Sequence, residues 1–309
     1  MLYIKNQRAG SYHMSKQLAI NLTKKQKSIF FQGYEELDFK IKSEITNSLI
    51  KDYEKTLHEP HPSNPDYKDF TKEEFFIDTN VRRSRENILH LSFYDAYINN
   101  KPEVILNGFY TFNHLFSIRK LQYPDSSVSF LDLLCCYSGN NIKLADYYLE
   151  FFFKSKKQPY QLWNVIPLAI KSFTNKELID STLASIEKYL SMKNGLFYIA
   201  LVNSFKAILL KDMELFSVSL STLVKLHPKS QSLNYFSNSI NKYVPYLAYS
   251  VFTIASIYLD KATFEKIKTP VHNLWWDEFI QLNIKNSFSE GKPYIDFNNQ
   301  LLFLNKKIY

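Results

Sequence analysis

The stretch ENILHLSFYDAYINNKPEVILNGFYTFNHLFSIRKL, Glu86 to Leu121, decides the fold. Two apolar segments of helical length flank the short polar turn Asn100-Lys101-Pro102-Glu103. Asparagine accepts the left-handed backbone at a helix end, and proline is tolerated in a first helical turn, so Asn99-Asn100 ends one helix and Pro102 starts the next. Leu89, Phe93 and Ala96 recur three and four residues apart, the spacing of one buried helical stripe. A connection this short makes the two helices antiparallel neighbours.

The same form recurs downstream. SFLDLLCCY and IKLADYYLEFFF are joined by SGNN, with Gly139 as the stop and Asn140 or Asn141 as the next cap. QLWNVIPLAIKSF and LIDSTLASIEKYL are joined by TNKE, where Thr174 and Glu177 have capping-box spacing. Pro167 is expected to kink the first of these helices or to confine it to the downstream side. LFYIALVNSFKAILL and LFSVSLSTLVKLHP are joined by KDME, with Pro228 as the stop. In that last helix Phe216, Leu220 and Leu223 form the inward stripe, opposite Ser217, Ser221 and Lys225. Phe216 and Leu223 are too bulky for the small-residue positions of a tetratricopeptide repeat, so no regular repeat is assigned. The expected fold is all-α, an irregular array of antiparallel helical hairpins over about 86–285 within a single helical domain spanning 1–309.

The flanks read differently. About 15–59 predicts one long or two shorter helices, with acids and lysines three to four apart. Pro60, Pro62 and Pro65 make about 60–70 a loop. From 286 to 309 the helical period is lost, which predicts a short C-terminal β-hairpin across Asn298-Asn299-Gln300 or an extended tail.

With 309 residues, 45% of them apolar and 16% aromatic, the chain has material for a large core. The N-terminus lacks the apolar run of a signal peptide. Val244–Leu259 is the longest nearly uncharged apolar segment; it is shorter than a spanning helix and reads as a buried core helix. Adjacent Cys135 and Cys136 have no further cysteine to pair with and read as buried small apolar residues in a reduced, cytoplasmic chain. The net charge of +8 is spread over short lysine groups with acids between them, so neither nucleic acid nor a membrane is an expected partner. Without a phosphate-cradling glycine loop, and with only six glycines, neither nucleotide chemistry nor a small-molecule substrate is expected. Pro60 denies His58, Glu59 and His61 the helical geometry of zinc ligands, and no metal or other cofactor is expected.

Two constellations carry functional readings. Arg85 and His90 match the R-x4-H spacing of the HEPN ribonucleases, in which histidine acts as acid or base and arginine stabilises charge on the scissile phosphate. Arg8 and His13 repeat that spacing, and residues five apart on a helix diverge by about 140°, so Arg85 and His90 form a pair only if the arginine precedes the helix. Three of the five arginines, Arg82, Arg83 and Arg85, cluster at this helix start, and His90 is expected to be half buried. Trp275, Trp276, Asp277 and Glu278 are the densest aromatic point. Adjacent residues point about 100° apart on a helix, so the pair either packs structurally at the end of the array, the favoured reading, or leaves one indole at a rim beside acids, suited to a protein partner.

The segments LWNVIPLAIKSFTNKELIDSTL, FYIALVNSFKAILLKDMELFSVSLSTLVKLHP and YLAYSVFTIASIYLDKATFEKIKTPVHNLWWDEFI resemble the helical immunity proteins of bacterial polymorphic toxin systems. The resemblance is to the Immunity protein 49 family and to the group that neutralises PoNe-type DNase toxins. It covers about 161–280, through Trp163, Lys211-Asp212, the Ala248 to Ala255 helix and Pro270. It implies a non-enzymatic protein whose partner is a cognate toxin domain, bound so as to block the active site or access to it. Inhibitors of basic nucleases tend to be acidic, and this chain is basic. The toxin is then acidic, or not a nuclease, or bound through a local acidic patch such as Asp277 and Glu278. The alternatives are a HEPN-like ribonuclease using Arg85 and His90, or a helical scaffold for an acidic partner.

Overall fold

The computed structural model describes residues 24–60, 67–122, 128–154, 161–230 and 238–306. Among them the fold is all-α, with fourteen α-helices and no strand. The N-terminal region forms two shorter helices, α1 (Lys24–Glu35) and α2 (Lys42–His58). Lys40 closes the first of them: its ammonium donates to the Tyr34, Glu35 and Leu37 carbonyls at 2.7, 2.7 and 3.2 Å, satisfying groups that a helix end leaves open.

Helix α3 (Lys72–Phe76) opens with a Thr71–Glu74 capping box and continues through a π-helical turn, Ile77–Val81, into α4 (Arg82–Asn99). Asn100 takes φ 54°, and α5 (Glu103–Gln122) returns against α4. The two helices approach closely at Gly108, where a Cβ would lie 1.8 Å from the Ser92 hydroxyl. The other hairpins follow as the turns predict: α6 (Phe130–Ser138) with α7 (Ile142–Lys154), α8 (Gln161–Thr174) with α9 (Ile179–Leu190), and α10 (Leu196–Leu210) with α11 (Met213–Leu226). Gly139 ends α6, the Asn141 side chain accepts from the Leu144 amide at 3.2 Å, and Lys211 takes φ 54° before Asp212 caps α11.

Several local readings are corrected. The Thr174 hydroxyl donates to the Lys171 carbonyl, and Asn175 instead accepts from the Glu177 amide, so no Thr174 capping box forms. Helix α8 runs through Pro167 and is not confined to its downstream side. Ser217 is buried, because its hydroxyl accepts a backbone amide from Lys268. Among its described residues the tail has no β-hairpin; Asn299–Asn305 is a 3-10 helix that seats Leu301 and Leu304 in the core. The extended stretch before it runs along one stripe of α5. There the Asn107 and Thr111 side chains accept the amides of Lys292 and Tyr294, and His114 meets the Leu304 carbonyl.

The hairpins do not form a simple linear stack, because α12 (Tyr246–Tyr258) threads between them. It packs on α6, α10 and α11, and ten of its thirteen residues are buried. Ser250 donates to the Leu134 carbonyl at 2.6 Å and lies 2.7 Å from the Ser138 hydroxyl, so small polar side chains let α6 and α12 approach. One hydrophobic cluster reaches from Phe30 to Leu304, and a smaller one joins Val165, Ile186, Tyr189 and Val202. Two short helices, α13 (Lys261–Phe264) and α14 (Asp277–Lys285), complete the described α-helices. Among the described residues, no helix is long and apolar enough to cross a membrane.

Candidate functional site

Arg85 does not precede its helix. The helical run begins at Lys72, so the separation of about 140° between residues five apart applies in full. Arg85 points into the α5 side, its guanidinium carbon 4.5 and 4.4 Å from the ring centres of Phe112 and Phe116. That is cation-π geometry, and Arg85 is buried. Arg82 and Arg83 on the same turn are exposed.

His90 is fully rather than half buried, and faces elsewhere. Its Nε2 accepts from the Asn241 side-chain amide at 3.0 Å, in the 3-10 turn Ser239–Tyr243. Burial pushes its pKa down to about 3, so it is neutral near pH 7 and far from the value a general acid or base needs. Asn241 also holds His227, whose ring nitrogen bonds the Asn241 carbonyl; burial takes that imidazole down to about 4. Arg85 and His90 are thus both buried, packed against different neighbours of α4.

The Cys135 and Cys136 thiols are fully buried and pushed well above the usual thiol range, chiefly by burial. For Cys135 the Asp132 carboxylate adds to that effect and Arg85 opposes it. Neither is a poised thiolate. Arg8, His13 and His61 lie outside the described residues, while His58 and Glu59 are exposed at the end of α2. Among the described residues no cluster of three histidine, cysteine or acidic side chains could hold a metal.

The tryptophan pair is packed structurally, and the rim alternative does not hold. Both indoles are buried, Trp275 at 2% and Trp276 at 1% exposure, so neither forms a rim. The helical angle does not apply to them: Trp276, at φ −93° and ψ 96°, is the non-helical residue before α14, and Trp275 lies in the preceding turn. Extended backbone lets neighbouring side chains part into separate pockets. Trp276 stacks on Tyr97 with ring centres 4.7 Å apart, and its indole N–H donates to Glu278. Trp275 meets Phe252 edge-on and Tyr249 at a tilt. Asp277 and Glu278 are exposed in the first turn of α14, but the Glu278 carboxylate is already engaged.

An open depression of about 670 Å³ lies over the α1–α2 turn, lined by Leu37, Asp38, Phe39, Lys40, Glu44 and Lys51. Its charges are mixed, and Lys40 is committed to the end of α1.

Sequence reasoning missed a different surface. Between α13 and α14 a non-helical strap holds Val271 fully in solvent, while its neighbour Pro270 is buried. The strap lies beside α11, where Val218 is 60% exposed. The available signal was the sequence Lys268-Thr269-Pro270-Val271, whose proline interrupts helix and leaves the next side chain free of the core. Comparison with family models, with curated proteins and with solved structures finds no match for this chain.

Proposed function

We propose that this protein acts by binding another protein, as a cytoplasmic immunity protein that occupies a cognate bacterial toxin domain and blocks its active site or substrate access. The observation that carries the reading is where the surface is apolar. Of the ten large hydrophobic residues exposed among the described residues, six lie within 161–280, the stretch that resembles the helical immunity proteins: Met192, Leu196, Leu210, Val218, Ile257 and Val271. Exposed apolar side chains on well-anchored backbone favour association, because burying them against a partner removes them from water. The side chains with catalytic potential, Arg85 and His90, are instead spent on internal packing.

The ribonuclease alternative draws no support from those positions. A scaffold for an acidic partner would use the same exposed surface, and differs from immunity in what the neighbouring gene encodes. The test is co-expression with the product of the adjacent gene, read by growth and by pull-down. Restored growth together with a stable complex is expected; no complex and no rescue would overturn the reading.

A further inference from the structure

The strap and α11 form one ledge. The Lys268 amide donates to the Ser217 hydroxyl at 3.0 Å, which fixes the upstream end of the strap beside Ser217. That hydroxyl in turn donates to the Met213 carbonyl, so the anchor belongs to the helix itself. Downstream, His272 lies within the electrostatic reach of Lys225. The strap therefore lies against α11 at Ser217 and ends within the field of Lys225.

Several anchors hold the strap. Pro270 is buried, the Leu274 amide donates to the His272 ring at 3.2 Å, and the Trp275 amide donates to the His272 carbonyl at 3.0 Å. Val271 is therefore presented outward by a backbone fixed on both sides. Val218, next to the anchoring serine, is exposed on the same ledge. Little ordering entropy remains to be lost when such a surface is covered, which is the advantage of a preorganised contact.

Positive charge outweighs negative around the valines. Lys225 and Lys268 are exposed and form no ion pair among the described residues, whereas Lys211 and Lys261 are engaged by Asp260 and Glu265. The acids nearby are Glu214, one turn before Val218 on the same helix face, and Glu265, which pairs with Lys261. Two valines flanked by unpaired lysines match a surface with an apolar centre and a carboxylate rim. A nucleic acid fits less well: two lysines neutralise few phosphates, and no aromatic side chain is exposed on the ledge to stack a base.

We propose that the α11–strap ledge, centred on Val218 and Val271 and flanked by Lys225 and Lys268, is the docking surface for an acidic protein partner. This rests on the protein-binding reading above and names its surface and the partner's chemistry. The substitutions that test it, Val271→Asp and the pair Lys225→Glu with Lys268→Glu, fall on exposed side chains, and thermal unfolding should show the variants folded as the wild type is.

Two measurements separate the ledge from the wider reading. In the first, the wild type and both variants are titrated with the product of the adjacent gene. Weakening by about tenfold or more in each variant is expected, the loss typical of central contacts. Unchanged binding of the variants beside a wild type that binds overturns the ledge and leaves the immunity reading standing. In the second, hydrogen exchange of the wild type is followed with a random glutamate–tyrosine copolymer and separately with duplex DNA. Protection over 213–226 and 266–273 by the copolymer, lost in the lysine variants, supports the ledge even if the adjacent gene's product does not bind. No such protection, or stronger protection by DNA, overturns the acidic-protein assignment.

Discussion

Helices α11 and α12 follow each other in the chain and pack together, yet treat their surroundings oppositely. In α12 ten of thirteen residues are buried; in α11 seven of fourteen are, and Val218, Ser221 and Lys225 remain in solvent. Helix α12 has neighbours on several sides and so needs apolar or small side chains all round. Helix α11 closes the assembly on one face and keeps the other free. Within this fold, a continuous apolar segment marks a structural spine and a striped one marks a surface that can meet a partner.

The largest effect expected from breaking this contrast is at the spine. Phe252→Ala, which opens a cavity between Trp275, Phe264 and Phe288, should cost about 3–5 kcal/mol in urea unfolding. A loss below about 1 kcal/mol would mean that α12 is not the spine.

Acid should act next, at the junction between the two helices, where His227 meets Tyr246 edge-on. His227 and His90 have folded values near 4 and near 3, against about 6.5 in an unfolded chain. The unfolded state therefore takes up protons first. The stability these groups contribute is complete above about pH 6.5 and is lost as pH falls toward the folded values. Between pH 7 and 5.5 the two together should lower the unfolding free energy by about 2–3 kcal/mol, measured in urea at both values.

A finer test removes one polar contact. Ser250→Ala deletes the hydroxyl that donates to the Leu134 carbonyl and should cost about 1 kcal/mol in the same assay. At the other extreme, Val218→Asp on the free face of α11 should change stability by less than about 0.5 kcal/mol. That variant should lose partner binding while its melting temperature stays put. A large destabilisation would show that the α11 face is already covered within the molecule.

Most of the hairpins were legible because their ends carry local chemistry. Asn100, Gly139, Asn141, Lys211 and Asp212 sit in the turns the sequence marks, and Leu89, Phe93 and Ala96 are buried as their spacing predicts. What packs against what was less legible. An apolar segment such as Val244–Leu259 has no polar stripe to tell which neighbours it meets, so its place on α6 could not be read. The surroundings of the candidate residues were hard to read for related reasons. Arg85 was burial-ready only because Phe112 and Phe116 lie four apart on a helix that folds back over it. Trp275 and Trp276 were assigned a helical angle although their backbone is not helical. The ledge was invisible because Ser217 looks like an outward serine until a strap 51 residues away donates to it.

The contact between Ser138 and Ser250 joins positions 112 residues apart in the chain. On a ribosome, α6 is therefore made well before the helix that covers it. Until synthesis reaches α12, the trough it fills stays open to water and to other chains. Contacts closing so long a loop slow folding, and exposed apolar troughs on nascent chains invite aggregation or a chaperone. The hairpins upstream can form as they emerge, but the core closes late, when α12 arrives and then the chain through Leu304 packs onto it.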